Sequence, residues 1–155
     1  MSKRSLFVLA RIAITVIVIC GLCICGFIYP FLVSLNGLSK GSEIVMWSQL
    51  IFYWLSSVPC FIILGYAWKV SKSFKTELFT CENAKCFRNS AILLLVDSIF
   101  FFIGNLVFAL MGYNPFAILF FFLIVTALSV SLALGAAGYY VAKAAALREE
   151  NEEYV

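Results

Sequence analysis

The chain has 155 residues, of which 64% are hydrophobic and 12% charged, with a net charge of +3 and a mean hydropathy of +1.05. A water-soluble domain carries about 45–50% apolar and about 25% charged residues, so a soluble globular fold is excluded and a single integral membrane domain is expected. Histidine is absent, which removes the commonest metal ligand and the side chain that titrates most readily near neutral pH.

Crossing about 30 Å of hydrocarbon takes about 20 apolar residues. Four stretches qualify, approximately 12–33, 46–70, 89–111 and 115–141. The predicted fold is all-α, an integral membrane four-helix bundle. The first stretch is too long for a signal peptide and lacks a small-x-small cleavage site. Pro30 lies near its outer end and is expected to mark its exit. The "CGLCIC" of residues 20–25 reads as small apolar residues on a membrane helix rather than a soft-metal site.

In the second stretch Pro59 removes the hydrogen bond to the Leu55 carbonyl. A bend is expected there, either for packing or as a hinge, with Ser56 and Ser57 placed to satisfy freed backbone groups. Residues 71–88 form a basic loop that ends in a helix start. Thr80 is the N-cap candidate, Asn83 stands at the third helical position, and Glu82 lies in the first turn, where the helix dipole favours an acid. Phe79 and Ala84 are placed to form a weak hydrophobic staple, and Arg88 marks the membrane surface. Cys81 and Cys86, five residues apart, lie about 140° apart on a helix and share no face. No metal, cofactor or disulfide is expected.

Asp97 is the only acid inside an apolar stretch, about 10 Å beyond Asn89 along the helix. An intramembrane carboxylate is costly and needs a proton, a partner or water. Its partner is expected from another helix, from Tyr66, Lys69, Tyr139, Tyr140 or Lys143. Two roles stand open, a structural hydrogen-bond node or a carrier of a coupling proton or cation. Asn105, farther along, is expected to donate a hydrogen bond between helices. After the third stretch, Asn114 and Pro115 suit the cap and first position of the fourth helix, so the third and fourth helices form an antiparallel hairpin. In the fourth, Ser131, Gly135, Gly138 and Ala142 recur at helical spacing. They read as the seam of the internal bundle or as a homodimer face. Residues 142–155 form an acidic tail.

Ten of the eleven bases (Lys3, Arg4, Arg11, Lys69, Lys72, Lys75, Lys85, Arg88, Lys143 and Arg148) fall on one side of the four spans, and Lys40 alone falls on the other. Bases in short loops favour the cytoplasmic side, so both termini and the 71–88 loop are expected there.

Phe79, Thr80, Glu82, Asn83, Phe87 and Arg88 follow the pattern F-[S/T]-x-E-N-x-x-x-[L/F]-R. With Pro59 in the second span and Leu147, Glu150 and Asn151 in an L-x-x-E-N tail, the chain resembles the YoaS-like family of small bacterial four-helix membrane proteins, a domain of unknown function. The ending, Glu152-Glu153-Tyr154-Val155, departs from that family's usual one. The resemblance implies an architecture in the bacterial plasma membrane rather than a reaction. Because such proteins are often encoded beside a small helix-turn-helix regulator, it also implies membrane-linked control of that regulator. The leading expectation is therefore a non-enzymatic regulator or adaptor for a cytosolic partner, with no direct nucleic-acid binding. The alternatives are a small proton-coupled transporter or exporter using Asp97, as a homo-oligomer, and a self-protection protein against a membrane-active peptide. No serine-histidine, paired-carboxylate, phosphate-loop or zinc pattern points to an enzyme.

Overall fold

The computed structural model describes residues 3–39, 43–73, 79–113 and 117–153. They form four helices, α1 (Lys3–Ser39), α2 (Glu43–Ser73), α3 (Cys81–Leu110) and α4 (Ala117–Glu153). No strand occurs among the described residues. All four helices are long and apolar enough to cross a membrane. Each outruns its apolar stretch because backbone hydrogen bonding continues where the side chains turn polar. Pro30 accordingly lies inside α1, which continues to Ser39 rather than ending at the proline. Asn114 and Pro115 lie outside the described residues.

The helices pack in chain order. Among the described residues α1 packs on α2, α2 on α3, and α3 most extensively on α4. α1 does not pack on α3 or α4, so the arrangement is an open series rather than a closed ring of four. Among the described residues α4 meets α2 where Phe120 lies against Tyr53, with ring centroids 5.7 Å apart.

Residue chemistry is inverted relative to a soluble protein. Ile44, Phe27, Leu110, Ile118 and Leu132 are among the many large apolar side chains on the outside. The buried positions include Gln49, Ser56, Ser71, Asn83, Ser90, Asp97, Ser98, Asn105 and Ser131. Lipid tails solvate leucine as well as another leucine does, so close contact between helices has to come from small residues and hydrogen bonds.

Two glycines set the closest approaches. A Cβ on Gly104 of α3 would collide with the Phe52 ring of α2. Phe52 lies against Phe101, stacked at 5.7 Å, and Phe108, edge-on at 5.6 Å, so the ring has little room to withdraw. On α4, a Cβ on Gly138 would stand 3.2 Å from the Phe87 Cβ, 3.3 Å from the Ala84 carbonyl and 3.3 Å from the Arg88 amide. Those neighbours belong to the α3 backbone or its first side-chain atom and cannot swing aside. Overpacking of this kind costs about 1–3 kcal/mol. Gly104→Ala and Gly138→Leu are each expected to lower unfolding stability in detergent by that amount. Gly65→Ala, with nothing within 4 Å of its added Cβ inside α2, is expected not to lower it, and by helix propensity to raise it by up to about 1 kcal/mol.

Candidate functional site

The polar residues buried between the spans lie largely on one stripe of α3. Asn83-Ala84, Ser90-Ala91, Asp97-Ser98 and Gly104-Asn105 recur every seven residues. Seven residues fall about 20° short of two full turns, so these pairs stay on nearly one face. All eight positions except the half-buried Gly104 are buried. Their small side chains leave room for α2 on one flank and α4 on the other.

Along the α2 flank the contacts run antiparallel. At one end the Ser73 hydroxyl donates to the Asn83 Oδ1 at 3.1 Å. The Ser56 hydroxyl donates to the Asp97 Oδ1 at 3.0 Å, with both residues buried. Farther along, the Tyr53 hydroxyl approaches the Asn105 Oδ1 at 3.4 Å. At the far end the Gln49 Nε2 donates to the Tyr113 carbonyl at 2.9 Å. That carbonyl is presented by the end of α3. Gly112 takes φ +78, the Tyr113 amide donates to the Phe108 carbonyl and the Gly112 amide to the Ala109 carbonyl, which satisfies the last helical acceptors.

Along the α4 flank the Ser131 hydroxyl donates to the Ala91 carbonyl at 2.8 Å, Gly135 faces the Ala91 methyl, and Gly138 lies against Ala84 and Phe87. Ala142, grouped with these by its spacing, is exposed. The buried row continues through Val141 and Ala145, because helical residues return to a face every three or four positions and the row drifts.

Asp97 has the Ser56 hydroxyl as its partner rather than any of the residues expected to reach it. Tyr139 and Tyr140 are exposed on α4, as is Lys143. Lys69 is engaged with Glu82 at 2.7 Å across the exposed end of α2 and α3. Ser56 was expected to serve the backbone freed by Pro59, which lies inside α2. The Ser57 hydroxyl donates to the Trp54 carbonyl at 2.7 Å, not to the Leu55 carbonyl that Pro59 leaves free. Asn105 accepts from α2 through its oxygen, while its Nδ2 donates within α3 to the Phe101 carbonyl at 2.8 Å.

The start of α3 is tied down locally. Thr80 is extended, and its hydroxyl oxygen accepts from the Asn83 amide at 3.2 Å, the N-cap geometry. Phe79 is exposed, while Ala84 is buried, its carbonyl 3.3 Å from where a Cβ on Gly138 of α4 would stand. Glu82 and Arg88 are exposed and Phe87 is half-buried. All six cysteines are free thiols, and Cys86 alone is buried.

The seven-residue repeat of α3 is visible in the sequence, whereas the partners expected for Asp97 were cations and phenols of other helices. Ser56 was visible only as a neighbour of Pro59. What the site offers chemically is one buried carboxyl beside one hydroxyl, within an interhelical seam of further polar side chains. Comparison with protein-family models, curated proteins and solved structures finds no match to the chain.

A double-substitution cycle reads the central contact. Ser56→Ala and Asp97→Ala are expected to be non-additive in unfolding stability, with a coupling of about 1 kcal/mol, typical of an interhelical hydrogen bond in lipid. Asp97→Asn keeps an oxygen for the Ser56 hydroxyl and is expected to retain most of that coupling.

Proposed function

We propose that the chain is a multi-pass protein of the bacterial plasma membrane, with both termini cytoplasmic. On this reading it has no catalytic activity and acts as a membrane-side regulator or adaptor for a cytosolic partner. The partner class comes from the YoaS-like resemblance, a helix-turn-helix protein encoded nearby, and membership of that family is part of the proposal.

The observation that carries the reading is the end of α4. Beyond Ala145, its last buried residue, the helix continues to Glu153. Leu147, Arg148, Glu149, Glu150 and Asn151 are all exposed there. Eight further residues extend about 12 Å at the helical rise. This segment leaves the packed spans at the end that also carries Lys69, Lys72, Glu82, Lys85 and Arg88, where the excess of bases favours the cytoplasm. Leu147, exposed and followed directly by Arg148, Glu149 and Glu150 on a regular helix, suits a protein partner better than bare lipid.

Transport has one observation in its favour. Asp97 is a buried acid whose partner is a hydroxyl rather than a cation. Proton-coupled flux in proteoliposomes, abolished by Asp97→Asn while the fold survives, is the result that would move the assignment to a transporter.

The regulator reading is tested by co-purifying the chain in mild detergent with the helix-turn-helix protein encoded beside it. Leu147→Asp and truncation after Ala145 are each expected to reduce recovery at least about tenfold, the consequence of losing about 1.4 kcal/mol. Failure of the full chain to recover that protein, with the regulator's target genes unchanged on deletion, sinks the reading.

A further inference from the structure

The end of the array that holds the bases contains a cation, Arg11, that pairs with no acid among the described residues. α1 has no Asp or Glu in its sequence, and the acid of α2, Glu43, lies at that helix's opposite end. α1 packs on α2 alone among the described residues. Arg11 therefore has no acid on either helix within reach. Glu82, on the neighbouring α3, is held by Lys69 at 2.7 Å.

Arg11 is nevertheless fixed in place. Its guanidinium carbon lies 4.4 Å from the centroid of the Phe7 ring on its own helix and 4.4 Å from that of Trp68 on α2. Its Nε is buried with no hydrogen-bond partner. Aromatic rings satisfy the faces of a guanidinium, but its N–H groups donate in the plane, in a fork that matches a phosphate. Phe7 and Trp68 thus hold the charge, and with Nε buried an anion has to reach it through the terminal Nη groups.

Its depth identifies what meets the fork. The apolar stretch of α1 begins at residue 12 and about 20 helical residues cover the roughly 30 Å of hydrocarbon, so Arg11 stands at the edge of that stretch. That is headgroup level. Lys72 stands exposed near the end of α2, close to the same level, so the local charge is positive. We propose that Arg11, clamped between Phe7 and Trp68, is a binding site for the phosphate of an anionic phospholipid headgroup. The site lies at the α1–α2 contact and needs neither the cytosolic partner nor Asp97.

The full chain is reconstituted in nanodiscs of equal parts phosphatidylcholine and phosphatidylglycerol, and the lipid retained on release is measured by native mass spectrometry. The wild type is expected to retain phosphatidylglycerol in preference to phosphatidylcholine. Arg11→Gln is expected to reduce that retention about tenfold, as loss of a charge-assisted bidentate contact requires. Lys72→Gln is expected to leave it within about twofold, because a lone exposed base contributes only diffuse attraction. Equal retention in Arg11→Gln and wild type overturns the site, and so does an equal loss in the two variants. If Arg11→Gln fails to fold, Arg11→Lys decides. It keeps the charge and removes the fork, so retention is expected to fall, and unchanged retention overturns the proposal. Displacement of the lipid by excess inorganic phosphate, with phosphate bound in its place, would make this a soluble-anion site and overturn the lipid assignment.

Discussion

Within hydrocarbon an apolar side chain gains little by leaving lipid for a neighbouring helix. Association of these spans therefore depends on the one stripe of α3 where side chains are small or polar. The pairs at 83/84, 90/91, 97/98 and 104/105 let two helices approach at once. α2 closes on one flank through hydroxyl, amide and carboxyl contacts, and α4 on the other through Ser131, Gly135 and Gly138. Most of the isoleucines and leucines that would build a soluble core are turned outward instead, with Leu32, Leu50 and Ile124 as buried exceptions.

The hydrogen bonds and the glycines divide the work. Ser73–Asn83, Ser56–Asp97, Tyr53–Asn105 and Gln49–Tyr113 each match one position on α2 with one on α3, and together they set the register over the length of the span. A slip by one helical turn would leave several polar groups in lipid without partners, which costs more than any single bond gains. Gly104 and Gly138 set distance rather than register. α1 is attached differently, by Tyr29 against Trp47, Gly21 facing Phe61, and Arg11 against Trp68. It has no stripe of buried polar pairs, and it joins the array through α2 alone among the described residues.

Polarity is divided lengthwise as well. The seam carries uncharged donors and acceptors and one carboxyl, whereas nearly all the bases gather at the end where α2 finishes, α3 begins and α4 runs on. Thr80, Asn83 and the Lys69–Glu82 pair anchor the first turn of α3 at that end. Residues 79–88 thus belong to a helix start, and residues 146–151 of α4 are exposed beyond it. Gly138 of α4 lies against Ala84 and Phe87 in the opening turns of α3, so the two helices are in close contact at that end.

The sequence by itself determined the environment, the four spans, the N-cap at Thr80 and the close approach of α3 to α4, because hydropathy, span length, capping chemistry and a very short connection are local properties. It also carried the α3 repeat, though a repeat marks a contact face without naming its partner. Only the tertiary structure decided that Asp97 meets Ser56 rather than a cation, that Phe52 fills the space over Gly104, that Ala142 faces outward, and that the helices form an open series. Each of these depends on the rotation and register of one helix against another. Those are fixed by side chains far apart in the chain, so no local pattern records them.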